Sequence, residues 1–294
     1  MKSIQHITDI LDHYDGFIID LWGVIHDGTS AYPGAKAAMA ALHQAGKQVV
    51  FLSNAPRRAE KARNTLDNFH IPREQYIDVI SSGEVAFQHL SRANPYGPRY
   101  YYLGPDKDSG VFTGAKTALD FDENVLQDAA EFTRVMDERE ADFILCAGFE
   151  YDYQPLDEFE PVAQRLAVSG KPMVCINPDL EVVKMDGTRL WCAGWVARRY
   201  AELGGTVTYY GKPHADVYAT AFNILGALDH SRILAIGDNL LTDILGANAQ
   251  GIDSLLITGG ILTAEAGHAV SEAELEAALR DVDAEPTYLA ALFQ

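Results

Sequence analysis

Four short segments hold residue types that can do phosphate or metal chemistry. Asp20 follows the compact apolar run Phe17-Ile18-Ile19 and precedes Leu21-Trp22-Gly23-Val24. A carboxylate held at a strand end, beside a glycine that lets backbone approach, can serve as nucleophile or metal ligand, or simply cap a turn. Ser53-Asn54 ends the run Val49–Leu52 and adjoins a predicted helix. Hydroxyl, amide and free backbone N–H groups there suit an anion, although an ordinary N-cap uses the same residues. Gly211-Lys212-Pro213 stands just ahead of a predicted helix over 214–225, with proline near its first turn. A cation at that point can neutralise a phosphate or a covalent phosphoenzyme, or remain a solvated loop charge. The most specific segment is Gly237 to Ile244, with Asp238 at a strand end and Asp243 about a turn into the next helix. Mg²⁺ favours such sites, taking few carboxylates and filling its shell with water and phosphate oxygens.

The elements that must position these groups follow from hydrophobic period. Apolar runs at 17–19, 49–52, 233–236 and 254–258 alternate with stretches of helical spacing at 34–44, 57–69 and 242–249. Continuous apolar runs read as strands buried on both faces, and their alternation with helices implies parallel βαβ units. The predicted fold is therefore α/β, a doubly wound parallel-sheet core. Ligands of such sheets bind at the carboxyl ends of strands. Asp20, Ser53-Asn54 and Asp238 each end a run, so neighbouring strands would bring them to one crevice. The middle of the chain differs. Asn94-Pro95-Tyr96-Gly97-Pro98 is a break, and new strand candidates follow at 99–103, 143–145 and 173–176, with the acidic stretch Asp120–Glu140 among them. We read 92–205 as an inserted α/β domain between core segments 1–91 and 206–294.

Composition narrows the partners. The chain has 294 residues, a formal net charge of −19 and 48% apolar residues, which suits about two globular domains. Such an acidic chain lacks the positive field that nucleic acid or an anionic membrane requires, whereas a small anion can be met by local donors. Cys146, Cys175 and Cys192 have no CxxC spacing, so buried reduced thiols and a cytoplasmic location are expected. Met1–Gly16 lacks the apolar core of a secretory signal, and no run reaches the length of a membrane span.

In chain order, DLWGV (20–24), FLSN (51–54), GKP (211–213) and GDNLLTDI (237–244) resemble the motifs of the haloacid dehalogenase superfamily of phosphohydrolases. The insertion between the second and third is similar to the α/β cap of class IIA, whose members include para-nitrophenyl, pyridoxal and sugar phosphatase-like enzymes. His26-Asp27-Gly28, Tyr32-Pro33-Gly34-Ala35 and Ile176-Asn177-Pro178-Asp179 also resemble that subgroup. The resemblance implies a Rossmann-like core with an inserted cap, and Mg²⁺-dependent hydrolysis of a small phosphorylated metabolite. By the same likeness Asp20 is the nucleophile, forming an aspartyl-phosphate. Mg²⁺ is held by Asp20, the Trp22 backbone carbonyl and Asp238, with Asp243 in support. Ser53, Asn54 and Lys212 bind the phosphoryl group, and Lys212 also orients Asp20. Asn177 and Asp179 face the substrate or form a turn, and the subgroup's caps often form homodimers.

One departure matters. The family normally places a second aspartate two residues after the nucleophile, to protonate the leaving oxygen and later activate water. Here that position is Trp22, whose indole N–H does neither. Loss of general acid–base help costs about 10²–10⁴ in rate. His26 and Asp27 are weak substitutes, and Arg57 or Arg58 could reach a second anionic group. The alternative function is a non-hydrolytic binder of a phosphate ligand on the same fold.

Overall fold

The structure, a computed structural model, describes residues 1–112 and 132–294; of the acidic stretch 120–140, the part before 132 lies outside the described residues. Seven parallel strands form one sheet. In spatial order they are β1 (Lys2–Ser3), β14 (Tyr288–Ala290), β13 (Asp253–Ile257), β12 (Ile233–Gly237), β2 (Gly16–Ile19), β3 (Gln48–Ser53) and β4 (Asp78–Ser81). The central strand β2 pairs Ile19 with Phe51 of β3 and with Ile236 of β12. Register thus lines up the carboxyl ends where Asp20, Ser53 and Asp238 stand. The apolar runs are continuous because both faces are covered. Phe17 and Ile19 pack in one hydrophobic cluster, with Ala35, Met39 and Leu42 of helix α1 (Ala35–Gln44) and Leu66 of α2 (Ala59–Asn68). Ile18 and Val50 pack on the other face, with Val217 and Ala221 of the helix Ala215–Leu225. This is the doubly wound, Rossmann-like α/β fold expected from the sequence.

A second parallel sheet has the order β11 (Val207–Tyr209), β8 (Met173–Cys175), β7 (Phe143–Cys146), β5 (Arg99–Leu103) and β6 (Thr133–Val135). It extends past residue 205, because β11 pairs with β8 through Val207 and Met173. An antiparallel hairpin, β9 (Glu181–Val183) and β10 (Arg189–Trp191), projects from it. The two sheets share a cluster in which Ile18 and Val50 join Tyr100, Phe143 and Val174. The helix expected over 242–249 begins instead as a wide turn, Leu240–Ile244, before the regular helix Leu245–Gln250. That wider turn carries Asp243. Cys146, Cys175 and Cys192 are all buried free thiols. Among the described residues no helix is long and apolar enough to cross a membrane.

Candidate active site

Asp20 leaves β2 with its N–H donating to the carbonyl of Ile236 at 2.8 Å, which ties it to the strand that delivers Asp238. Asp20, Asp238 and Asp243 are all buried, and one carboxylate oxygen from each lies within 4.8 Å of the others. These three oxygens converge closely enough that, drawn further together, they could hold one divalent cation. Two glycines make room. A Cβ at Gly23 would fall 2.0 Å from Asp238 Oδ2, and one at Gly260 would fall 2.1 Å from it. Gly23 also has φ +82°, a conformation that glycine adopts without strain. The same Asp238 oxygen accepts from the Ile261 N–H at 2.8 Å. Asp243 is steadied by the Asn239 N–H at 3.2 Å.

Lys212 closes the cluster. Its buried Nζ lies 2.6 Å from Asp20 Oδ1 and 2.7 Å from Asp243 Oδ1. The loop that presents it is held by Asn54, which accepts from the Lys212 N–H at 2.7 Å and donates to its carbonyl at 3.2 Å. Asn54 Nδ2 also donates to Asp179 at 2.9 Å, so its amide braces three segments. Ser53 is buried beside it and accepts from the Ala55 N–H at 3.3 Å.

Burial pushes the Asp20 carboxyl up to about 8, although Lys212 pulls against that and Asp243 adds to it. The Asp238 carboxyl is pushed well up by burial and by the neighbouring Asp20. Burial works against the Lys212 ammonium, but Asp20 and Asp243 outweigh it and hold the group protonated. Three buried carboxylates facing one ammonium leave excess negative charge. That donor set fits a hard divalent cation, which would restore the ionised form.

Above the cluster lies a cavity of about 330 Å³ between the two sheets, at the low end for small-ligand sites. Asn177 and Asp179 reach it from the second sheet. Asn177 Oδ1 accepts from the Asp179 N–H at 3.2 Å, an Asx turn, and burial pushes the Asp179 carboxyl up to about 6. Arg57 lies 2.7 Å from buried Asp108, while Arg58 pairs with Glu84 and covers the Phe87 ring at 3.7 Å. Trp195 packs with Phe149 and Phe159 inside the second sheet's own core, whereas Trp191 lines the cavity.

The first-motif loop shows what sequence reasoning missed. The Trp22 indole N–H donates to the carbonyl of Val183 at 2.9 Å, on the hairpin of the second sheet. Asp27 accepts from Thr29, Ser30 and, at 3.2 Å, the Met185 N–H. Burial raises the Asp27 carboxyl, but these backbone bonds outweigh it and hold the group low. His26 Nδ1 accepts from the Gly28 N–H at 3.0 Å, which leaves the proton on Nε2, buried without a partner. Burial lowers this imidazole to about 4. Neither residue holds a transferable proton near neutral pH. The hairpin partners of Trp22 and Asp27 lie about 160 residues away, so neither bond could be read from the sequence.

Residues 17–117 match the family model described as haloacid dehalogenase-like hydrolase, and residues 209–289 match a second described as HAD-hydrolase-like. The two matches carry all four motifs. The chain belongs to the haloacid dehalogenase-like hydrolases. A solved hydrolase of the haloacid dehalogenase-like family from Brucella suis is 27% identical, with a TM-score of 0.81 covering 99% of this chain and 100% of that one. An acid sugar phosphatase of Staphylococcus aureus is 24% identical over 256 residues, 87% of this chain and 90% of that protein. In fold, this haloacid dehalogenase-like hydrolase is also similar to a p-nitrophenyl phosphatase from Archaeoglobus fulgidus, at a TM-score of 0.67 and 20% identity, over 94% of this chain and 95% of that one.

Proposed function

We propose that this hydrolase is a Mg²⁺-dependent phosphatase of small phosphomonoesters, with weakened general acid–base help. The observation that carries the reading is the buried Asp20–Lys212–Asp243–Asp238 cluster, whose Asp20 opens onto the cavity between the two sheets. Asp20 Oδ1 is held by Lys212, which leaves the other carboxylate oxygen to attack phosphorus. The new bond joins that oxygen to phosphorus, and the ester P–O bond breaks with its electron pair leaving on the alcohol oxygen. The departing alkoxide takes a proton from solvent; water then attacks the aspartyl-phosphate at phosphorus, returns a proton to solvent, and restores the Asp20 carboxylate with release of inorganic phosphate. Mg²⁺, held by Asp20, Asp238 and the Trp22 carbonyl with Asp243 in support, would offset charge on the phosphoryl oxygens. Ser53 and Lys212 supply further donors to that group, and Asn54 holds the Lys212 loop as well as facing the phosphate. Asn177 and Asp179 bound the substrate side.

With Trp22 committed to Val183 and Asp27 to backbone N–H groups, leaving groups that depart as stable anions are favoured. The acid sugar phosphatase relative supports a small phosphorylated substrate. We assign residues 92–205, extended through β11, to a cap; dimerisation through it and a cytoplasmic location belong to the same reading. The test is phosphate release from p-nitrophenyl phosphate with and without Mg²⁺. Turnover should require the metal and fall at least about 10³-fold in Asp20→Asn, since the nucleophile is lost. Turnover that survives Asp20→Asn refutes the mechanism. The Trp22–Val183 bond also favours a second reading, a closed non-hydrolytic binder, for which calorimetry would find a Mg²⁺-dependent phosphate ligand without turnover.

A further inference from the structure

The positive groups lining the cavity or buried beneath it mostly face carboxylates. Lys212 faces Asp20 and Asp243, Arg57 faces Asp108, and Lys107 pairs with Asp152. Lys184 lines the same cavity, and among the described residues it has no carboxylate partner; its Nζ reaches only the Tyr153 hydroxyl, at 3.4 Å. Its backbone is fixed from both sides. The Lys184 N–H donates to Thr188 at 3.0 Å and its carbonyl accepts from Gly187 at 2.9 Å, closing the hairpin turn. The flanking residues are tied to the first-motif loop, Val183 by the Trp22 indole and Met185 by Asp27. Tyr153 has φ +64°, a costly conformation for an aromatic residue that tends to persist at ligand sites. Asp186 acts on this ammonium only through space, so an ammonium with no direct ion pair, on a clamped hairpin over a cavity whose floor would take one anion, is a second anion-binding point.

We infer that Lys184 recognises a second anionic group, carboxylate or phosphate, on the organic part of the substrate. Trp22 and Asp27 are its positioning residues. The inference rests on the phosphatase reading for the first anion only. The sequence thus replaces an acid at position 22 with a group that fixes a specificity residue.

The test measures dissociation constants by calorimetry, with Mg²⁺ present, on the Asp20→Asn chain. The probes are phenyl phosphate, 4-carboxyphenyl phosphate and 1,4-phenylene bisphosphate. At least one anionic probe should bind more tightly than phenyl phosphate. That preference should fall about tenfold in Lys184→Met, which keeps the apolar stem, and return in Lys184→Arg. Whichever anionic probe shows the preference identifies the source of the second charge. An equal or weaker affinity for both anionic probes, or a preference unchanged in Lys184→Met, overturns the inference. Phosphate release by the chain with Asp20 intact tests the phosphatase reading separately, so the two can fail independently.

Discussion

Trp22→Asp asks whether the indole has displaced a proton donor. The substitution puts a carboxyl where the proposed reading expects a general acid, and such a group contributes about 10²–10⁴ in rate, or roughly 3–5 kcal/mol of barrier. It also removes the 2.9 Å bond to Val183, worth about 1 kcal/mol net and more if the carbonyl is left unpaired. The ring lies against Gly28, where an added Cβ would sit 2.6 Å from two indole carbons, so a gap opens there too. These losses loosen the hairpin for every substrate, whereas the gained acid helps only poor leaving groups. The informative quantity is therefore the ratio of kcat for glycerol 2-phosphate to kcat for p-nitrophenyl phosphate. It should rise about 100-fold in Trp22→Asp. Trp22→Phe, which drops the bond but adds no acid, should leave the ratio near that of the parent. If a folded Trp22→Asp chain shows the parent's ratio, the missing-acid account is refuted.

Two further outcomes follow from the same geometry. Gly260→Ala places a methyl 2.1 Å from Asp238 Oδ2 without a left-handed backbone to complicate it. The displaced carboxylate should raise the Mg²⁺ concentration for half-maximal turnover roughly tenfold to a hundredfold, read by metal titration; an unchanged titration removes Asp238 from the metal site. His26 is held near a pKa of about 4 by burial, against 6.5 when free. The folded state therefore binds fewer protons, and stability present above about pH 6.5 is lost as pH falls towards 4. Urea melts of the parent and His26→Phe at pH 7.5 and 4.5 should differ by on the order of 2–3 kcal/mol in that direction. Equal pH dependence would place the imidazole in contact with water.

The sheet was legible in the chain because its strands are covered on both faces. Phe17-Ile18-Ile19 and Ile233–Ile236 could be read as apolar runs, and their ends located Asp20 and Asp238. Lys212 was legible only through motif order, since a lysine before a helix has no intrinsic signature; burial between Asp20 and Asp243 is what gives it meaning. The clasp could not be read. Hydrogen bonds from Trp22 and Asp27 end on backbone groups of Val183 and Met185, and backbone partners leave no trace in residue type. Lys184 was invisible for a similar reason: its significance lies in the direct ion pair it does not make. Helix ends shifted where turn geometry prevailed, as at Leu240–Ile244, where a wider turn carries Asp243.

The pairing of β2 with β12, Ile19 against Ile236, bears on how the chain is made. A ribosome releases Asp20 early and Asp238 late, and the strand that shelters one needs the strand that delivers the other. No partial product can assemble the three-carboxylate cluster. Closing so large a loop before any reward is gained is slow, and an ion that binds only the finished arrangement would act as a latch on it.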